Sequence, residues 1–255
     1  MESCYFNPDN FFIEEVNTQI AREFIIAHHY SKKWTLCNIS YGLYYKTPAK
    51  NDFFNNDTSE TLIGVIVYGG PVGRCTSDSI SDVVNAKNVI ELTRLAILDG
   101  YGKNIESWFI SKTLKMLKTT FKELKVVISY SDQEMGHKGI IYQATGFYYQ
   151  GEGLSLMPNY ALSLDGPPAY NWIHSRTVSS MYGSKNIEHL KRCIGKTFWL
   201  KKEANKHRYF ILVCDKIEKK RVLSTLKYPI LPYPKLTKYV EEIVEIKVND
   251  ATFFA

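Results

Sequence analysis

The chain has no run of 18 or more apolar residues, so the sequence predicts no membrane-spanning helix. Its five cysteines, Cys4, Cys37, Cys75, Cys193 and Cys214, are scattered and odd in number, and no CxxC pair occurs. That excludes a zinc knuckle and gives no disulfide framework; an intracellular, reducing setting is the simplest expectation. The opening residues MESCYFNPDN lack the charged-then-apolar pattern of a secretory signal. Gly69-Gly70-Pro71-Val72-Gly73-Arg74 has the glycines of a phosphate-wrapping loop but no GKS/T, which argues against a P-loop and for a sharp strand exit. Internal repeats and low-complexity tracts are also missing.

What is present is an ordinary globular composition, 45% hydrophobic and 23% charged over 255 residues, with tyrosine dominating a high aromatic share. The net charge of +6 is unevenly spread. Lys185 to Lys238 holds 15 Lys/Arg against 4 Asp/Glu, while the remainder holds 17 against 22. A mildly acidic body with a basic C-terminal region points to a polyanionic partner, nucleic acid foremost, although a solvated lysine surface has the same composition.

Along the chain, the spacing of Ile13, Val16, Ile20 and Phe24 predicts a helix over 12–27, started by Pro8-Asp9 and ending near His28-His29-Tyr30. Strands are expected at 38–45 and 62–68, joined by a polar surface loop. The organising stretch is 89–149, which reads strand, glycine turn, amphipathic helix, strand, polar loop, short helix, strand. In the first of these strands, alternation places Glu91, Thr93, Leu95 and Ile97 on one face and Leu92, Arg94 and Ala96 on the other. Arg94 needs a carboxylate, a set of carbonyls or a ligand phosphate to offset its desolvation. The turn Asp99 to Asn104 carries Gly100, Gly102 and Lys103 before the helix 105–118, with Asn104 as its expected N-cap. A glycine turn followed by a helix N-terminus favours phosphate. The strand 125–131 ends at Asp132, five residues before His137, a pairing suited to general base work, metal binding or simple helix capping. Beyond it come strands at 158–164 and 207–214, a basic helix with Lys219, Lys220 and Arg221, an extended LPYPK segment ending at Lys235, and a loosely held tail over 240–255.

The order of elements in 89–149 resembles the Gcn5-related N-acetyltransferase fold, although the Gln/Arg-x-x-Gly-x-Gly/Ala turn of that fold is only approximated by Gly100 and Gly102. A closer resemblance is to the Mom family of phage DNA-adenine modification proteins, a divergent branch of that fold. It rests on HHYSKKW at 28–34, GVIVYGGPVGR at 64–74, ELTRLAILD at 91–99, NIESWFISKTLKML at 104–117, SYSDQEMGHKGIIYQATGFYYQG at 129–151, HSRTVSSMYGS at 174–184, KHRYF at 206–210 and LKYPILPYPK at 226–235. The resemblance implies an α/β (α+β) fold with a mixed central sheet flanked by helices, a catalytic core over 1–165 and a basic extension over 166–255. It implies modification of the adenine N6 amino group in double-stranded DNA with a methylcarbamoyl-type group, protection from restriction nucleases, acetyl-CoA as donor and an iron requirement. By motif match, Asp132, Tyr142, Arg94 and His29 are candidate catalytic positions, with His29, Asp132 and Tyr142 as the iron donor set. Gly100, Gly102, Lys103, Asn104 and Ser107 are the cofactor side. Lys206, Arg208, Lys219, Lys220, Arg221 and Lys235 are the candidate DNA contacts. A phage-encoded member would act in the host cytoplasm, without a membrane partner. Two other readings stay open at this point: an acetyl-CoA-dependent acetyltransferase of a small amine or protein, and a non-catalytic DNA-binding protein that kept the fold.

Overall fold

The computed structural model describes residues 6–47, 59–71, 73, 75–153, 159–235 and 240–248. The expected loop between the first two predicted strands lies mostly outside them. The chain forms two compact units, each assembled from three separated segments. The first comprises residues 1–131, 139–151 and 207–234, and the second residues 132–138, 152–206 and 235–255.

The first unit is built on a mixed seven-stranded sheet. In chain order its strands are β1 (Phe11–Glu15), β2 (Ile39–Lys46), β3 (Glu60–Gly69), β4 (Val89–Ile97), β5 (Val126–Ser131), β6 (Tyr148–Glu152) and, after two strands belonging to the second unit, β9 (His207–Leu212). Their order across the sheet is β1-β2-β3-β4-β5-β9-β6, and β4 and β5 run parallel. Helices α1 (Thr18–His28), α2 (Ile105–Thr120), α3 (Ile140–Ala144) and, later in the chain, α6 (Lys216–Ser224) cover it. On one face Phe109, Leu114 and Leu117 of α2 and Tyr142 of α3 pack on Tyr41, Tyr68, Leu92 and Tyr209. On the other, Ala21, Phe24 and Ile25 of α1 meet Val65, Val67 and Ala96, and Val222 of α6 meets Ile128, Phe210 and Leu212. Helices on both faces of a mixed sheet are the α/β architecture expected from the sequence.

Two local expectations are corrected. The first helix starts later than its apolar spacing implied. Phe11–Glu15 pairs antiparallel with β2, and α1 begins only after Asn17, whose side chain accepts the Ile20 N–H at 2.9 Å. Ile20 is consequently exposed, and Ala21 and Ile25 carry the buried stripe instead. The second correction concerns β4. Val67 pairs with Arg94 but Tyr68 with Leu92, so Thr93 is an extra residue in the strand. Such a bulge shifts the phase of alternation by one. Leu92 therefore shares a face with Leu95 and Ile97 rather than with Arg94 and Ala96. The Thr93 hydroxyl donates to the Val67 carbonyl at 3.1 Å.

The second unit holds the antiparallel sheet β10-β8-β7, from β7 (Tyr160–Ser163), β8 (Phe198–Lys202) and β10 (Ile243–Ile246), with α4 (Ser175–Tyr182) and α5 (Ile187–Ile194). Leu162, Val178, Leu190, Phe198 and Leu200 form its core. The expected loose tail is thus in part a strand: Ile243–Ile246 pairs with Lys201–Phe198.

Gly69 closes β3 where the strand exit must clear the chain returning from α1. A Cβ there would stand 2.2 Å from the Leu36 carbonyl oxygen, whereas one on Gly70 would meet nothing within 4 Å. We expect Gly69→Ala to destabilise the protein by about 2 kcal/mol or more and Gly70→Ala to be near neutral, read from urea midpoints.

Candidate functional site

The strands β4 and β5 are hydrogen-bonded only from Val89↔Val126 to Leu92↔Ser129, although β4 runs on to Ile97 and β5 to Ser131. Past the Thr93 bulge the two strands part. The Ser129 hydroxyl donates to the Leu92 carbonyl at 2.9 Å and so closes the last paired rung. Parallel strands that separate in mid-sheet leave backbone groups without ladder partners and room for a ligand between them.

Tyr142 faces this opening from α3. It is buried, and burial pushes its phenol up to about 12, partly offset by a hydrogen bond with Ser129, with Tyr30, Glu91 and Tyr209 adding upward contributions. Its neighbour Tyr209 shares a hydrogen bond with the Gln143 amide at 3.3 Å. Gly139, at φ +67°, starts α3 where a Cβ would lie 2.5 Å from the Tyr209 ring, so glycine lets the helix and Tyr142 sit this close.

His29 is buried at the end of α1, and its Nδ1 accepts the Ser31 N–H at 3.1 Å, with the Ser31 hydroxyl at 2.8 Å. An accepting Nδ1 places the proton of the neutral ring on Nε2. The ring lies against Tyr30, centroids 4.2 Å apart, and Tyr30 in turn acts on Tyr142. Arg94 takes the second of the three options open to it, a set of carbonyls. Its Nε donates to Lys33 O at 3.2 Å and its Nη1 to Thr93 O at 2.6 Å. It thereby ties the segment after His29-Tyr30 to the bulge of β4. The structure thus gathers Tyr142, Tyr30 and His29, with Arg94 fastening the segment that carries the last two.

Asp132 belongs to the second unit. Its Oδ1 accepts the Glu134 N–H at 3.1 Å and its Oδ2 lies 3.6 Å from the Lys206 ammonium. The Asp132 carbonyl accepts the His137 N–H, which folds the loop back on itself. The donor set inferred for iron does not fit these arrangements. Burial holds the Tyr142 phenol protonated, His29 presents a protonated Nε2, and Asp132 is engaged by Lys206. Among the described residues no three His, Cys, Asp or Glu side chains gather to hold a metal ion.

At the start of α2 the chain turns through three left-handed residues, Gly100 (φ +97°), Gly102 (φ +105°) and Asn104 (φ +67°). Asn104 occupies the N-cap position, but its side chain makes no capping bond, contrary to expectation. The Ser107 hydroxyl instead donates to the Asn104 carbonyl at 2.9 Å. The first-turn N–H groups of α2 therefore have no side-chain cap, while Lys103 is exposed beside them and Glu106 places one carboxylate in the same turn.

Of the basic candidates, Lys219, Lys220 and Arg221 are exposed on α6, Lys206 and Lys235 are exposed in the second unit, and Arg208 is buried in β9. Sequence reasoning missed Ser129 and Glu91. Glu91 carried a readable signal, since a lone carboxylate within an apolar strand needs the same justification as Arg94. It acts on both Tyr142 and Tyr130.

Residues 10–235 match the profile of the Mom protein family. The methylcarbamoylase Mom of Escherichia phage Mu is 27% identical over 224 residues, covering 88% of this chain and 83% of that protein. Among solved structures, a chimera of spermidine N-acetyltransferase from Vibrio cholerae is similar with a TM-score of 0.42 at 10% identity, covering 80% of this chain and 96% of that one. The IAA acetyltransferase of Bacillus cereus gives 0.40 at 11%, covering 79% and 99%. At that distance no chemistry transfers from them.

Burial raises the phenols of both Tyr142 and Tyr68 above the ordinary value of 10. The unfolded chain then loses these protons first as pH rises, so the stability they contribute is complete below about pH 10 and is lost above it. We expect stability to fall by on the order of 1 to 3 kcal/mol between about pH 10 and 12, and Tyr142→Phe to flatten that slope. Urea unfolding across this range checks it; an unchanged slope in Tyr142→Phe would place the titration elsewhere.

Proposed function

We propose, from the premise that this chain belongs to the Mom protein family, that it is a transferase that modifies the N6 amino group of adenine in double-stranded DNA with a methylcarbamoyl-type group. The name of the phage Mu relative supports the group transferred. The observation that carries the reading is the buried phenol of Tyr142, bonded to Ser129 where β4 and β5 part.

The adenine amino group is a poor nucleophile, because its lone pair is delocalised into the ring, and it lies within the duplex. Modification requires extrusion of the nucleotide, positioning and a proton acceptor. Tyr142, neutral at physiological pH, donates a hydrogen bond rather than accepting a proton. Asp132 is the proposed acceptor of the proton that N6 releases. Tyr30, half of its surface exposed, offers a face for an extruded base to stack on. Arg94 is a positioning residue for the His29-Tyr30 segment. Lys206, Lys219, Lys220, Arg221 and Lys235 neutralise backbone phosphates.

The uncapped first turn of α2, with Gly100, Gly102, Lys103, Asn104 and Ser107, suits the pyrophosphate of acetyl-CoA. Acetyl-CoA, when bound, would supply a thioester-activated carbonyl carbon and release the coenzyme A thiol; an acetyl thioester delivers an acetyl group alone, so a methylcarbamoyl product requires a thioester that already carries the nitrogen. Protection of phage DNA from restriction, in the host cytoplasm, is the role that fits this chemistry.

DNA from cells expressing the protein, hydrolysed and analysed by mass spectrometry, is expected to contain a modified adenine. Asp132→Asn and Tyr142→Phe are expected to lower its yield by about 100-fold or more while duplex binding persists. Unmodified adenine throughout would overturn the reading. Modification that survives both substitutions would remove these two residues from it.

A further inference from the structure

Among the described residues, the Arg208 guanidinium is a buried charge with no carboxylate beside it. Arg208 lies in β9 opposite Tyr130 of β5, on the sheet face shared with Phe210 and Leu212, and is only 9% exposed. A guanidinium carries five N–H donors. Here Nη2 reaches the Thr76 carbonyl at 3.5 Å, the outer limit of a hydrogen bond, and the buried Nε meets no acceptor. The Tyr228 ring covers the guanidinium with its centroid at 5.8 Å. No carboxylate among the described residues pairs with it, and the groups that act on it electrostatically are the phenols of Tyr130 and Tyr228. Burial holds the Tyr130 phenol above its ordinary range, so it brings no negative charge at neutral pH.

A second orphan stands beside the same tyrosine. The Gln150 amide donates to the Tyr228 carbonyl at 3.1 Å, while its own Oε1 is buried without a donor. Among the described residues this buried cation is held by one long bond and a ring face, which leaves it short of an anion. Tyr228, 46% exposed, is the cover through which an anion would enter.

We propose that Arg208, under the cover of Tyr228 and beside Thr76, binds an oxyanion of a phosphate ester. The guanidinium fork matches such a group in charge and shape. The choice of phosphate over another anion rests on the function proposed above, in which both DNA and the thioester donor are phosphate esters.

Calorimetric titration with inorganic phosphate, against sodium chloride and sodium acetate at matched ionic strength, tests it. The wild type is expected to bind phosphate saturably, and Arg208→Gln at least tenfold more weakly. Equal affinity in the two proteins overturns the site. Should Arg208→Gln fail to fold, Arg208→Lys, which keeps the charge but not the fork, takes its place, with equal affinity again overturning the site; in the wild type, a phosphate response no different from chloride, or matched by acetate, also overturns it. Competition then identifies the source. Displacement of phosphate by coenzyme A assigns the site to the donor, displacement by a short adenine-bearing duplex assigns it to DNA, and displacement by neither overturns the assignment to an ester. Loss of the DNA-modification reading through unmodified adenine would leave the phosphate titration unaltered, so the two failures are distinguishable.

Discussion

The opening at the candidate site coincides with one irregularity in one strand. Thr93 is a residue too many in the pairing of β4 with β3. An extra residue bends its strand and raises the local twist, and the hydrogen bonding between β4 and β5 stops just before it, at Leu92↔Ser129. The side chains around the opening serve the groups exposed there. Ser129 donates to Leu92, Thr93 to Val67, and Arg94 to Thr93 itself. Arg94 also reaches Lys33, so the same irregularity fixes the segment that carries His29 and Tyr30.

The site is an aromatic and neutral-polar cluster more than a charged one. Tyr68, Tyr142 and Tyr209 all have their phenols raised mainly by burial, and each shares a hydrogen bond with a neutral side chain: Thr113, Ser129 and Gln143 respectively. Groups of this kind orient a substrate by donation and by ring contact. The charged candidates sit differently. Asp132 is held by Lys206, and Arg94 by carbonyls.

The β-α-β-α-β order of 89–149 was legible because each element there carries its own period, with glycines in the turn before α2 and just after α3. Tyr142, Arg94 and His29 were legible through motif likeness and, for Arg94, through the cost of a charge in a strand. The bulge was not legible. It depends on which β3 residue pairs with which β4 residue, and alternation within a single strand cannot report an offset between two. The start of α1 was misread for a related reason: Ile13 and Val16 happen to fall at helical spacing from Ile20, while Phe11–Glu15 is claimed by an edge of the sheet. Glu91 was overlooked although it meets the same test that singled out Arg94. Arg208 read as one more member of a basic surface, because composition counts charges and does not say which of them water reaches.

The place of β9 in the main sheet has a bearing on biosynthesis. His207–Leu212 is the strand between β5 and β6, yet it is made long after both. During translation the sheet must wait with that slot vacant while most of the second unit emerges from the ribosome. Until then the flanks of β5 and β6 are unsatisfied edges, open to pairing with a neighbouring nascent chain. Closure of the sheet is thus a late event, and chains cut short before Leu212 would be the ones prone to aggregate.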